Sequence, residues 1–305
     1  MRKLNWKKTV AVSAALALCV GTLAGCGSSA STSAGAQDSS AADTGVSGAI
    51  TVISREDGSG TRGAFVELTG VEEKNADGQK VDNTTEAAAI QSSTNGVMTA
   101  VANDETAIGY ISLGSLNDTV KAVTVGGVAA SAETVKDGSY VLARPFNIVT
   151  NGDATDPVAV DFIAYCLSKD GQAIATDNGY IGEDGADFTS AQPEGKIVVG
   201  GSSSVSPVMV KLIEAYKAVN ANADIELLTS DSTTGMTSAI EGTYDIGMAS
   251  RELKEDEAAA LAHQAIAMDG IAVIVNLENP TEDMTVEQIA SIFLGDATKW
   301  NEMVK

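Results

Sequence analysis

Ile50-Thr51-Val52-Ile53-Ser54-Arg55-Glu56-Asp57-Gly58-Ser59-Gly60-Thr61-Arg62-Gly63-Ala64-Phe65 decides how the chain is read. A β-branched run, a turn broken by two glycines and a helix start follow one another without a spacer. Gly58 and Gly60 let backbone N–H groups converge, and Ser59 and Thr61 add hydroxyl donors. The new helix turns its positive end toward the turn, so the stretch outlines an oxyanion site. Arg55 can supply a bidentate fork, and Asp57, two residues on, is expected to hold that fork in place.

Two further loops repeat the pattern: Val199-Gly200-Gly201-Ser202-Ser203-Ser204-Val205-Ser206-Pro207, and Leu228-Thr229-Ser230-Asp231-Ser232-Thr233-Thr234-Gly235-Met236. One small-residue loop before a helix is an ordinary N-cap. Three in an alternating chain are expected to converge in the cleft outside the strand ends of an α/β protein, around a tetrahedral oxyanion held by neutral donors and one arginine.

The rest of the folded part supports an α/β reading. Strands are expected at Ala49–Ser54, Ala107–Ile111, Val120–Val125, Phe146–Thr150, Lys196–Gly200, Asp224–Leu228, Asp245–Met248 and Ile271–Asn276. Helices are expected at Thr61–Leu68, Thr94–Ala102, Asp156–Leu167, Gly171–Asp177, Pro207–Val219, Thr234–Glu241, Glu255–Ala262 and Val286–Phe293. After Ser206, Pro207 suits a first helical position and Met209, Leu212, Ile213 and Tyr216 share one face. Glu183–Gly195 is polar and turn-rich and reads as a linker.

Of 305 residues, 19 are Lys or Arg and 41 are Asp or Glu, a formal charge of -22, which excludes a nucleic-acid binder with a basic surface. Hydrophobic residues make up 44%, enough to build cores, and aromatics only 4%, which argues against a stacking cleft. The start carries Arg2, Lys3, Lys7 and Lys8, then the apolar run Thr9–Val20, then Leu23-Ala24-Gly25-Cys26. This pattern predicts a secretory leader over residues 1–25 that resembles a bacterial lipobox, with Cys26 lipidated. Residues 26–48 have the composition of a flexible tether. Losing the leader removes four basic and no acidic residues, leaving 15 against 41 and a charge of -26. Cys166 is then the one unmodified cysteine, which excludes a disulfide within the monomer, and it is expected in a buried helix.

Four phrases carry a resemblance: Ser54-Arg55-Glu56-Asp57-Gly58-Ser59-Gly60-Thr61-Arg62, Gly201-Ser202-Ser203-Ser204-Val205-Ser206-Pro207, Asp245-Ile246-Gly247-Met248-Ala249-Ser250-Arg251-Glu252-Leu253 and Ala107-Ile108-Gly109-Tyr110-Ile111-Ser112. Together the chain resembles the phosphate-binding subunits of high-affinity phosphate ABC transporters, from Ala49 to Lys305. The resemblance implies a two-lobed type II periplasmic-binding-protein fold that closes over one phosphate without a metal or cofactor. It also implies an ABC permease as partner, a monomer, and an anchored position on the extracytoplasmic face of the membrane.

Order departs from the family, because there the serine loop before Pro207 opens the mature chain and the Arg55 loop comes in the middle. A circular permutation is expected to account for this, with Lys305 and Ala49 marking a cut in a surface loop and Glu183–Gly195 joining the former ends; a fragment of a tandem array is the rival explanation. Residues 49–142 and 270–305 are then expected to form one lobe and residues 143–269 the other. By motif, Arg55, Ser59, Gly60 and Thr61 would bind phosphate from the first lobe, and Ser203, Ser204 and Ser232 from the second. Family members carry an aspartate, which accepts the proton of hydrogen phosphate, where this chain has Ser250-Arg251. Asp269, in Ala267-Met268-Asp269-Gly270, stands as the substitute acceptor or as a hinge carboxylate; Arg251 either adds a second guanidinium or pairs with Glu252 or Glu255.

Enzyme readings have little to rest on. His263 is the only histidine and sits at a polar helix end, so a catalytic base or zinc site is not expected. Gly58-Ser59-Gly60 lacks the full nucleophile-elbow pattern, and no lysine follows to make a Walker loop. The alternatives left open are binding of sulfate or molybdate, phosphate-ester hydrolysis, and a surface signalling lipoprotein.

Overall fold

Parallel strands need both faces covered, and the runs Thr51–Arg55 and Ile246–Ala249 are buried along nearly their whole length. The computed structural model describes residues 48–303. The expected leader, Cys26 and the tether up to residue 47 lie outside the described residues.

Nine strands form the main sheet: β1 (Thr51–Arg55), β2 (Ala89–Gln91), β3 (Ala107–Ser112), β4 (Lys121–Ala122), β5 (Ala143–Thr150), β6 (Gly195–Ser202), β7 (Ala223–Ser230), β8 (Ile246–Ala249) and β9 (Ala262–Val275). Their order is β7-β6-β8-β5-β9-β3-β1-β2, with β4 also on β9. The helices are α1 (Gly60–Thr69), α2 (Thr94–Ala102), α3 (Ala132–Lys136), α4 (Pro157–Cys166), α5 (Lys169–Asp177), α6 (Ser206–Val219), α7 (Ser232–Ile240), α8 (Glu255–Ala260) and α9 (Val286–Leu294). None of the described helices is long and apolar enough to cross a membrane.

β9 organises the molecule. Its first part, Ala262–Gly270, pairs antiparallel with β5, and its second part, Ile271–Val275, pairs antiparallel with β3. One hydrophobic core gathers Phe146, Phe162, Tyr165, Val199, Leu212, Tyr216, Met248 and Ile266, all between residues 146 and 267. Another gathers Phe65, Tyr110, Leu142, Val273, Ile289 and Phe293, from either side of that range. In the second core Phe65 stacks on Tyr110 with centroids 3.9 Å apart, and Phe293 closes edge-on at 4.7 Å. The chain passes between the two cores at Ala143 and Gly270, which are register partners on β5 and β9.

The described ends meet. Ala49 bridges Lys299, the Ile50 N–H donates to the Thr298 carbonyl at 2.8 Å, and the Trp300 N–H to the Gly48 carbonyl at 3.2 Å. The segment after α5 lies on the protein surface, where Asp161 accepts from the Ser190 hydroxyl at 2.6 Å and the Ala191 N–H at 2.9 Å.

Three local expectations change. Val120–Val125 is divided between β4 and a short strand Thr124–Val125 that pairs with Asp283–Met284. The helix expected to reach Ala262 ends at Ala260, because Ala262–Met268 is drawn into β9 by pairing with β5. The hairpin of Glu72–Lys74 with Lys80–Asp82, the strand β2 and the helix α3 were not expected; they are too short to give a periodic signal. Cys166 is buried, and burial pushes its thiol up, so it packs as a small apolar side chain.

Candidate functional site

Short strands that end in glycine and hydroxyl residues deliver four helix N-termini to one place. Ser59 caps α1, its hydroxyl accepting from the Arg62 N–H at 3.3 Å, and Ser93 and Asp231 cap α2 and α7 in the same way. α6 starts at Ser206 after the turn Ser202–Val205, with Pro207 in its first turn. Helix geometry leaves the first N–H groups of each without an intrahelical acceptor; the caps take some, and the Thr233 N–H donates to the Gly58 carbonyl at 3.1 Å, so the remainder are available to a ligand.

Side chains from the two cores' elements touch across this meeting point. Arg55 Nη2 donates to Ser203 Oγ at 3.1 Å, and Thr61 Oγ1 lies 2.7 Å from Ser204 Oγ. Within the elements of residues 143–269, the Ser250 N–H donates to Ser232 Oγ at 3.1 Å, and Ser202 donates to Ser250 Oγ at 2.9 Å. Gly60 leaves no room for a side chain at the meeting point: a Cβ there would stand 2.3 Å from Ser232 Oγ and 2.8 Å from Ser250 Oγ. Arg55, Ser59, Thr61, Ser203, Ser204, Ser232 and Ser250 are all buried. Ser59 is spent locally, with its hydroxyl on the cap and its N–H on the Glu56 carbonyl at 3.0 Å.

Asp57 does not hold Arg55. Its carboxylate is 96% exposed and pairs with Arg62 at 2.8 Å, whereas the neighbouring Glu56 takes Arg55 Nε and Nη2 at 2.7 Å each. The sharp turn at Gly58 carries Asp57 outward, while Glu56 is still aligned with the strand end. Tyr110 fixes the same strand: its hydroxyl lies 2.8 Å from Ser54 Oγ and accepts from the Arg55 N–H at 3.2 Å, and burial pushes it up to about 12.

Arg251 lies beside the meeting point, its Nη2 3.5 Å from Thr233 Oγ1. Its guanidinium grips Glu257, through Nη1 at 2.6 Å and Nη2 at 2.8 Å, rather than Glu252 or Glu255 side chains. Asp269 is fully buried and its carboxylate is engaged: Oδ2 accepts from Arg144 Nη2 at 3.0 Å, and Oδ1 from Ser112 Oγ at 3.0 Å and the Gly114 N–H at 3.4 Å. Burial pushes Asp269 up against the pull of the Arg144 guanidinium.

Arg144 and Thr94 are the residues that sequence reasoning passed over. Thr94 opens α2 with its hydroxyl 3.1 Å from Ser204 Oγ and 3.4 Å from Arg55 Nη1. The run Ser92-Ser93-Thr94 ahead of an expected helix was a legible fourth loop. Arg144 sits before Pro145 in a strand with no motif around it, and its partners are far away in sequence. Each buried guanidinium at the centre thus has one carboxylate, Arg55 with Glu56 and Arg144 with Asp269, so the side-chain charges balance and the excess is of hydrogen-bond donors. Among the described residues no group of His, Cys, Asp or Glu is arranged to hold a metal.

A family model described as the PBP superfamily domain matches residues 24–170 and 186–304. The phosphate-binding protein PstS 2 of Streptococcus agalactiae serotype V is 47% identical over 307 residues, covering 100% of each chain. PstS 2 of Streptococcus pneumoniae serotype 4 is 48% identical over 267 residues, covering 87% of this chain and 91% of the relative. The crystal structure of a phosphate ABC transporter phosphate-binding protein from S. pneumoniae TIGR4 superposes with a TM-score of 0.68 at 48% identity, covering 84% of this chain and 100% of that one. With an α/β sheet of matching architecture and identity sustained over its whole length, the chain belongs to the PBP superfamily and, within it, to the PstS family of phosphate-binding proteins.

Proposed function

We propose that this chain is an extracytoplasmic solute-binding lipoprotein, anchored at Cys26, that captures inorganic phosphate and delivers it to an ABC permease. The observation that carries the reading is the paired contact of Arg55 with Ser203 and of Thr61 with Ser204, donors from elements of two separate cores. Arg55, Gly60, Thr61, Ser203, Ser204 and Ser232 bind the anion, with Ser59 serving as the cap that holds the Gly60–Thr61 turn. Residues 49–142 with 270–305 act as one lobe and 143–269 as the other, joined at Ala143 and Gly270. An anion touching donors of both lobes favours the closed form by its differential contacts, and the role is binding rather than catalysis.

The permuted order is supported by the pairing of Ala49 with Lys299, which places the cut ends side by side. Glu183–Gly195 then joins the ends that an unpermuted order would leave free, and the protein works as a monomer. Phosphate is favoured over other oxyanions by the relatives' names, and calorimetry with phosphate, sulfate and molybdate plus a phosphomonoester turnover assay tests the assignment. Tight phosphate binding without turnover is expected; preferential binding of sulfate or molybdate, or hydrolysis, would overturn it.

A further inference from the structure

We infer that Arg144 is a positioning residue of this cleft, which fixes Thr61 as a hydrogen-bond donor toward the bound anion and ties Thr61 to Ser250 across the two lobes. The ligand in this inference rests on the phosphate-binding reading; the bonds that carry it do not. Arg144 and Asp269 are register partners on β5 and β9, one residue from the Ala143 and Gly270 pair where the chain passes between cores. Arg144 is 2% exposed and Asp269 fully buried, so the ion pair sits at the root of the hinge. The Arg144 guanidinium is held a second time by the Phe146 ring, 5.2 Å from its centre.

From that fixed seat, Nη1 donates to two acceptors, Thr61 Oγ1 at 2.7 Å and the Ser250 carbonyl at 2.7 Å. Thr61 belongs to α1, whose Ala64, Phe65 and Val66 join the core of Phe65 and Tyr110, whereas Ser250 follows β8, which packs with the core of Phe146 and Met248. One nitrogen therefore joins the lobes, and both of its protons are used. A guanidinium has donors only, so the Thr61 oxygen must accept from it. The one proton of the Thr61 hydroxyl is then directed at Ser204 Oγ, 2.7 Å away, or at an oxyanion that replaces that contact. Arg144 thus aligns a donor before the anion arrives and forms its bridging bonds only where the lobes meet.

Lysine at this position keeps a charge opposite Asp269, but a single ammonium lacks the planar fork needed to serve Asp269, Thr61 and Ser250 together. Phosphate titrations and thermal melts of Arg144→Lys, Thr61→Val and the double variant read the inference. Arg144→Lys is expected to melt close to the unmodified protein yet lose about tenfold or more in phosphate affinity, the worth of a charged hydrogen bond. Thr61→Val is expected to lose a similar factor, and the double variant little beyond either single, since one relay is broken twice. Affinity of Arg144→Lys within about twofold of the unmodified protein, or fully additive losses, would overturn it. If the unmodified protein binds no phosphate, the functional reading fails, and small-angle scattering of the ligand-free protein decides this one. A larger radius of gyration in Arg144→Gln than in the unmodified protein supports the lobe tie, and equal radii contradict it.

Discussion

Glu56, not Asp57, clamps Arg55: its two carboxylate oxygens accept from Nε and Nη2 at 2.7 Å each, leaving Nη1 and the remaining Nη2 edge toward Thr94 and Ser203. A bidentate pair at a buried guanidinium fixes its plane, so the fork faces the serine loop without further ordering on binding. Glu56→Ala is expected to lower phosphate affinity by about tenfold, and Asp57→Ala, which loses only an exposed pair, by less than about twofold. Comparable losses in the two variants, measured by calorimetry, would return Asp57 to the role first expected of it.

Gly60 tests closure. Alanine is a better helix former at this first turn, so Gly60→Ala should not lower the melting temperature of the lobe. Its Cβ would stand 2.3 Å from Ser232 Oγ, so the lobes cannot meet as they do here without displacing the Ser232 loop. Affinity is expected to fall by about a hundredfold or more at unchanged thermal stability. An affinity equal to that of the unmodified protein would mean that the anion is held without this approach.

Arg251 and Glu257 belong to stability. Burial pushes the Glu257 carboxyl up, but hydrogen bonds from Arg251 and the Lys254 N–H outweigh it and leave the group below the usual carboxylate range. A depressed folded-state value contributes stability that is fully present above the unfolded value near ~4.3 and lost as pH falls through the folded value. Arg251→Ala strands a buried carboxylate and is expected to cost about 1–3 kcal/mol at neutral pH, less in acid, with phosphate affinity unchanged. Calorimetric melts between neutral and acidic pH check the first part, and a marked loss of affinity would place Arg251 in the binding site.

Net charge bears on capture as well. A formal charge of -22 repels phosphate at long range, so binding rests on donors acting inside a Debye length of about 8 Å. Raising salt from about 0.05 to about 0.5 M is expected to leave the dissociation constant nearly unchanged or slightly lower. A steep loss of affinity with salt would show that a distant field does the capturing.

The loops were legible because each carries its own local chemistry. Gly58-Ser59-Gly60-Thr61 and Gly201-Ser202-Ser203-Ser204 announce a turn, donors and a helix start within a few residues, and the structure brings both together. Arg144 and Asp269 were not legible as a pair, because 125 positions separate them and only the β5–β9 register joins them. The first half of β9 was missed for a related reason. Ala262–Gln264 is exposed and has no strand pattern of its own, and β5 supplies the partner that makes it a strand. The choice between Glu56 and Asp57 turned on which way one backbone turn faces, which composition does not encode.

The central claim, that donors of two lobes close on phosphate around Arg55, is tested most directly by titrating phosphate into the purified protein and its Arg55→Ala and Arg62→Ala variants. The unmodified protein should bind one phosphate per chain. Arg55→Ala should lose about a hundredfold or more in affinity and Arg62→Ala, which contacts Asp57, Asp82 and the Arg55 carbonyl, far less. Equal tolerance of the two substitutions, or no phosphate binding by the unmodified protein, would contradict the account.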